Sequence, residues 1–284
     1  MDFNIKTIAI AGAGTMGSGI AQVCATAGYN TILYDIEDNT LKKAETSIRS
    51  VLEKLTEKGK MDLTKMNAIL SKLQFTSEIK LLKADLILEA IVENLDIKHR
   101  FFNDVSEINT PKTILATNTS SIPITQIAAK IINPERVVGV HFFNPAPVMK
   151  LVEIISGAQT NPDIAAFCKN LFEGMGKTCV LAADSPGFIV NRVARHYYVE
   201  ALKILEEGIC SFETIDDLAE NAGFKMGPFK LMDLIGIDTN LSVTTSMYKL
   251  FNMDGKFRPS RIQQQKVDAG LNGRKSGKGF YNYE

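Results

Sequence analysis

The sequence predicts an α/β chain: a doubly wound, parallel-dominated sheet over residues 1–185, then an all-helical domain over residues 186–284. Three observations lead there. Short apolar runs alternate with helix-periodic stretches through the first two thirds of the chain, the signature of strands joined by crossover helices. Residues 5–35 read as one strand–glycine turn–helix–strand unit ending on an acid. Beyond Asp184-Ser185-Pro186-Gly187 the strand signal almost vanishes, leaving a helical segment of common domain size.

The first strand is Ile5-Lys6-Thr7-Ile8-Ala9-Ile10-Ala11, running into Gly12-Ala13-Gly14-Thr15-Met16-Gly17 and a helix to Ala27-Gly28. Gly12 permits the tight turn, Gly14 lets backbone approach a pyrophosphate, and Gly17 lets helix and strand pack closely. The helix N-terminus offers unpaired N–H groups to the anion. Thr31 to Tyr34 forms the second strand, and Asp35 follows where a carboxylate can bond the adenosine ribose hydroxyls. This is a Rossmann-like dinucleotide unit. Because a carboxylate repels the extra phosphate of NADP, NAD is favoured, with FAD, another nucleotide or no ligand as alternatives for the glycine pattern alone.

Residues 38–59 read as a charged amphipathic helix, with Leu41, Ala44, Ile48, Val51, Leu52 and Leu55 at helical spacing. Strands follow at 84–90, 113–116, 137–140, 151–155 and 178–181, with a helix at 95–108 ended by Asn109-Thr110-Pro111. Ser185 followed by Pro186 has the form of a helix cap and first helical residue. In the helix beyond, Val190, Ala194, Tyr197, Ala201 and Leu205 mark one face. Further helices are expected at 213–221, 229–250 and 261–269.

Thirty-two basic residues balance thirty-two acidic ones, so nothing calls for nucleic acid as a partner. The four cysteines, Cys24, Cys168, Cys179 and Cys210, form no CxxC or Cys/His cluster, and no metal site is expected. Their dispersal suits reduced thiols in the cytoplasm. The first strand starts close to Met1, so no leader is expected, and no apolar stretch is long enough to span a membrane.

Of the three histidines, His99 lies among Lys98 and Arg100 and reads as a surface residue, while packing or solvent accounts for His196. His141 ends the apolar strand 137–140, at the carboxyl edge where doubly wound sheets bind ligands. Imidazole titrates near neutrality and suits proton transfer, although a satisfied strand-end histidine would look the same. Glu153 sits inside an apolar strand, where an unpaired charge is costly and a histidine on the neighbouring strand would satisfy it. The competing reading is an exposed strand end paired with Lys150 or solvent. Asn118-Thr119-Ser120-Ser121 is another carboxyl-edge loop, in which a serine either caps the next helix or bonds a substrate oxygen. Asn191, early in the helical domain, reads as a cleft residue or a surface one.

The set Gly12–Gly17, Glu89-Ala90-Ile91-Val92-Glu93-Asn94, Asn118–Ser121, Gly139-Val140-His141-Phe142-Phe143-Asn144-Pro145, Asp184–Phe188 with Asn191-Arg192, and Gly277-Lys278-Gly279-Phe280-Tyr281 resembles the 3-hydroxyacyl-CoA dehydrogenase family over essentially the whole chain. In length the chain is similar to the family's bacterial 3-hydroxybutyryl-CoA dehydrogenases. The resemblance implies that His141 is the catalytic base, that Glu153 is its paired acid, and that Ser120 and Asn191 hold the substrate's 3-oxygen. It further implies that Glu93, Lys98, Asn118, Ser120, Asn144 and Lys275 contact NAD beside the glycine loop and Asp35, and that Ser47 and Lys54 touch coenzyme A. Expected with it are an acyl-CoA substrate (acetoacetyl-CoA and 3-hydroxybutyryl-CoA), a place in butyrate or fatty-acid metabolism, and a homodimer or dimer-based oligomer formed through the helical domain around residues 224–237. A protein that binds NAD without turnover, or a dehydrogenase for a non-CoA hydroxy acid, would share much of this pattern.

Overall fold

The computed structural model describes residues 3–283. The chain divides between Ser185 and Pro186 into two compact units. In the first, β1 (Thr7–Ala11), β2 (Asn30–Tyr34), β3 (Leu73–Thr76), β4 (Leu86–Glu89), β5 (Ile114–Thr117), β6 (Val137–Phe142), β7 (Leu151–Ser156) and β8 (Thr178–Ala183) form one sheet. Its order is β3-β2-β1-β4-β5-β6-β7-β8. The order reverses between β1 and β4, which are paired in parallel, and that reversal is where doubly wound sheets open a crevice for ligands. The sheet is therefore Rossmann-like, with one change of direction where β7 runs antiparallel to β6.

Around the sheet lie α1 (Thr15–Thr26), α2 (Asp38–Glu57), α3 (Leu63–Leu70), α4 (Leu95–Ile108), α5 (Ile124–Ala128) and α6 (Pro162–Gly174). The core is built from strand residues such as Ile8, Ile10, Leu33, Leu88 and Val140, packed on Ile20, Leu52 and Phe172 of the helices. Each such side chain contributes about 1.5–3 kcal/mol when fully buried. The α3–β3 segment and α6 were not anticipated. β3 is a short edge strand with only Thr76 fully buried, so its apolar signal is weak.

The second unit contains α7 (Val190–Glu206), α8 (Phe212–Asn221), α9 (Pro228–Ile235), α10 (Ile237–Leu250) and α11 (Arg261–Asp268). Tyr198, Leu202, Phe229, Met232 and Phe280 make its core. Three expectations need correction here. Ser185 and Pro186 do not start α7; Gly187 and Phe188 turn the chain at φ +71° and +49°, and the helix begins at Val190. The expected face of α7 holds only in part: Ala201 is buried and Ala194, Tyr197 and Leu205 pack at the core's edge, while the stripe also takes in Arg195, Tyr198 and Leu202, with the Arg195 guanidinium donating to Asn240 O and Thr244 Oγ1, both at 2.9 Å. The expected helix at 229–250 is two helices, broken at Gly236 with φ +101°.

Candidate active site

The glycine turn joins β1 to α1 at the crevice. Gly12 has φ +95°, and a Cβ there would lie 2.5 Å from Ala90 O; one on Gly17 would lie 1.7 Å from Gly12 O. Gly14 is exposed with open space beside it, which leaves its backbone accessible to a ligand. Asp35 ties the end of β2 to this turn. Its Oδ2 accepts the Ala13 N–H at 2.8 Å, and its Oδ1 accepts the Glu37 N–H at 3.0 Å. The carboxylate is thus fixed in orientation, and each oxygen keeps a lone pair for a hydroxyl donor. A cleft of about 680 Å³ runs over the turn, lined by Gly12, Gly14, Asp35, Ala90, Ile91 and Phe101 among others. An apolar cleft, a rigid carboxylate and a helix N-terminus fit an adenine dinucleotide with a free 2′-hydroxyl.

His141 and Glu153 are register partners on the antiparallel pair β6–β7, and His141 Nδ1 lies 2.8 Å from Glu153 Oε2. Glu153 is 0% exposed and His141 6%, so Glu153 is not an exposed strand end. In the neutral ring this contact is an Nδ1–H donating to the carboxylate, which places the basic lone pair on Nε2. The Phe143 ring packs 4.6 Å from the imidazole.

The loop after β5 is held from beneath. Asn118 Oδ1 accepts the Phe142 N–H at 2.8 Å, linking this loop to the strand that carries His141. Glu93 Oε1 accepts from Thr119 Oγ1 at 2.5 Å, from Ser121 Oγ at 2.9 Å and from the Ser120 N–H at 3.3 Å. Neither serine caps α5; the first N–H groups of that helix go to the Asp184 carboxylate. Lys98 is 1% exposed, its ammonium lying 2.6 Å from Glu89 Oε1 and 3.0 Å from Glu93 Oε2. Burial pushes the Glu93 carboxyl upward, but Lys98 and the loop donors prevail and hold it below the ordinary glutamate range. Burial keeps Glu89 above that range, against the opposing pull of Lys98. Glu89 was not anticipated as a buried partner of Lys98; an acid at the end of the apolar strand β4 was the available signal. His99 is also buried, with Nε2 2.9 Å from Gln126 O, so its placement on the surface is corrected.

Asn144 is exposed in the loop that follows β6. Two carbonyls of that loop, Ala146 O at 2.6 Å and Met149 O at 3.0 Å, accept from Lys177 Nζ. Its two prolines, Pro145 and Pro147, and Val148 border a groove of about 440 Å³ between α1 and α2, which Ser47 also lines. Lys54 is exposed two turns further along α2, outside that lining. In the helical unit, Asn191 is half-buried in the first turn of α7, and Lys275 pairs with Asp238 at 2.6 Å. Among the described residues, no cluster of His, Cys, Asp or Glu is placed to hold a metal, and no helix is long and apolar enough to cross a membrane.

A dinucleotide crevice with a buried His–Glu pair on the same sheet defines a nicotinamide-linked dehydrogenase. Residues 7–185 match the family described as 3-hydroxyacyl-CoA dehydrogenase, NAD binding domain, and residues 187–283 match the 3-hydroxyacyl-CoA dehydrogenase C-terminal domain. The chain belongs to the 3-hydroxyacyl-CoA dehydrogenase family. It is 46% identical to 3-hydroxyadipyl-CoA dehydrogenase of Escherichia coli over all of its length, spanning 60% of that relative. It is 42% identical to a probable 3-hydroxybutyryl-CoA dehydrogenase of Bacillus subtilis, covering 99% of this chain and 98% of the other. A crystal structure of (S)-3-hydroxybutyryl-CoA dehydrogenase from Ralstonia eutropha superposes with a TM-score of 0.95 at 39% identity, covering 99% of this chain and 100% of that one.

Proposed function

We propose that this chain interconverts a 3-hydroxyacyl-CoA and the corresponding 3-oxoacyl-CoA, with 3-hydroxybutyryl-CoA and acetoacetyl-CoA as the substrate pair. The observation that carries this reading is the 2.8 Å contact between His141 Nδ1 and buried Glu153. NAD, held by Asp35 and the glycine turn, would supply the hydride acceptor or donor for carbon 3. In oxidation, His141 Nε2 removes the hydroxyl proton, and Glu153 holds the tautomer and offsets the charge that develops on the ring. In reduction the same nitrogen returns the proton to the carbonyl oxygen. Ser120 and Asn191 orient the 3-oxygen, a positioning contribution. Asp35 and the glycine turn hold the adenosine end of the cofactor, with Glu93, Lys98, Asn118, Asn144 and Lys275 as further contacts. Ser47 and Lys54 receive coenzyme A. For Lys98 this means contact at the margin of a buried ion pair, since two carboxylates already engage its ammonium.

NADH oxidation with acetoacetyl-CoA, compared with free acetoacetate and with NADPH, tests substrate class and cofactor together. His141→Ala should lower turnover about 10²–10⁴-fold while NAD still binds. Near-normal turnover in that variant would remove His141 from the mechanism. A preference for free acetoacetate would favour a non-CoA dehydrogenase instead.

The reading extends to assembly and setting. Phe224, Leu234 and Ile235 of the helical unit are each more than two-fifths exposed, and we assign them to a homodimer interface. Light scattering on the purified protein should give twice the 31.2 kDa chain mass. The cysteines are free thiols, which suits a cytoplasmic enzyme of butyrate or fatty-acid metabolism.

A further inference from the structure

We propose that Glu89 is a positioning residue that acts through Lys98 and Glu93 to favour binding of the oxidised, positively charged nicotinamide over the reduced form. The inference rests on the reading that NAD binds at this sheet edge and that Ser120, whose N–H bonds Glu93, holds the reacting 3-oxygen beside the nicotinamide.

Glu89 ends β4 and is 0% exposed. Its Oε1 accepts from Lys98 Nζ at 2.6 Å and from the Ile91 N–H at 2.8 Å, and its Oε2 accepts from Thr117 Oγ1 at 2.8 Å. The Thr117 hydroxyl is oriented as a donor, because its oxygen accepts the Thr119 N–H at 3.2 Å. Every partner of Glu89 is thus a donor, and Lys98, Thr117 and Ile91 together favour the ionised carboxylate against the burial that raises its pKa. Glu93 is likewise surrounded by donors: the Lys98 ammonium, two hydroxyls and an N–H. Two carboxylates therefore share one ammonium, and the cluster carries one net negative charge.

One carboxylate would be enough to pair Lys98. The second adds a desolvation cost that packing does not require, since an apolar or amide side chain could end β4 at lower cost. The surplus charge lies directly beneath residues 119–121, three of whose donors converge on Glu93 Oε1. A nicotinamide ring carries a positive charge only when oxidised, so a fixed negative charge under the loop that would receive it would stabilise one redox form and leave the other nearly unaffected. The low local dielectric lets that difference act across several ångströms.

The test is separate measurement of the NAD⁺ and NADH dissociation constants, by calorimetry and by NADH fluorescence, for the wild-type chain and for Glu89→Gln. The amide keeps the size of the side chain and an acceptor for Lys98 but removes the charge. The expected result is a rise of about three- to tenfold in the ratio of the NAD⁺ to the NADH dissociation constant. A purely structural role would weaken both nucleotides alike, and an unchanged ratio overturns the proposal. Should Glu89→Gln fail to fold, Glu93→Gln removes the same charge from a side chain that is 37% exposed and should move the ratio in the same direction. No movement there overturns it equally. Failure of the wild-type chain to bind either nucleotide would instead overturn the cofactor reading, and this inference with it.

Discussion

At the scale of single residues, the chemistry depends on where two acids sit. Glu153 and Glu89 both interrupt apolar strands and both are fully buried, yet their partners differ: an imidazole for one, an ammonium and a hydroxyl for the other. An apolar strand with a single acid signals that a partner is required, and for Glu153 that signal pointed to His141. The partner of Glu89 was hidden because Lys98 lies in a charged run that reads as a solvated helix face. The same run misplaced His99. Hydropathy registers the charge of a lysine but not whether the fold supplies a counter-ion for it. The role of Glu153 can be tested directly. Glu153→Gln keeps the volume but lets the amide N–H face Nδ1, which favours the tautomer with its proton on Nε2. Turnover should fall about 10²–10⁴-fold with little change in NAD affinity. A loss below about threefold, in a variant shown to be folded by circular dichroism, would remove Glu153 from the proton-transfer apparatus.

At the scale of elements, strand positions were legible but strand direction was less so. Apolar runs marked β4, β5, β6 and β7 to within a few residues, because fully buried strands are continuous in hydropathy. The antiparallel turn at β7 follows from chain length: residues 143–150 are too few for a parallel crossover, which needs a dozen or more. That short connection carries Asn144 and borders the groove beside Ser47, and its own hydrogen bonds are the two from the Val148 and Met149 N–H groups to Pro145 O. Lys177, the residue before β8, anchors it further, donating to two of its carbonyls and lying 5.9 Å over the Phe142 ring. Burial lowers the Lys177 pKa. Replacing it with methionine should leave the sheet intact and free this loop. Hydrogen exchange at Val148 and Met149, whose N–H groups bond Pro145 O, should accelerate about tenfold, the equivalent of one charge-assisted hydrogen bond. Unchanged protection at both amides would show that the loop holds itself.

At the scale of the whole molecule, the change of texture near Ser185 was legible because a helical unit lacks alternating and continuous apolar strands. What closes that unit was not, because it depends on glycines and one aspartate far apart in sequence. Asp233 in α9 is 0% exposed and accepts the Phe280 N–H at 3.0 Å, the Tyr281 N–H at 2.9 Å and the Tyr283 hydroxyl at 2.9 Å. A Cβ on Gly279 would lie 2.0 Å from the same carboxylate, which accounts for the glycine in Gly277-Lys278-Gly279-Phe280-Tyr281. The terminal segment is therefore part of the helical core, with Phe280 packed 4.7 Å from Phe229. Asp233→Ala strands two main-chain donors and a phenol, and should cost the helical unit about 2–4 kcal/mol. For a unit of about a hundred residues, that lowers the melting temperature by roughly 10 °C or more. Tyr283→Phe removes one donor and leaves the other two paired, so its loss should stay near 1 kcal/mol. Calorimetric scans of both variants check the order. Equal losses, or a loss under about 1 kcal/mol in Asp233→Ala, would mean that the tail is held by aromatic packing and that the aspartate contributes little.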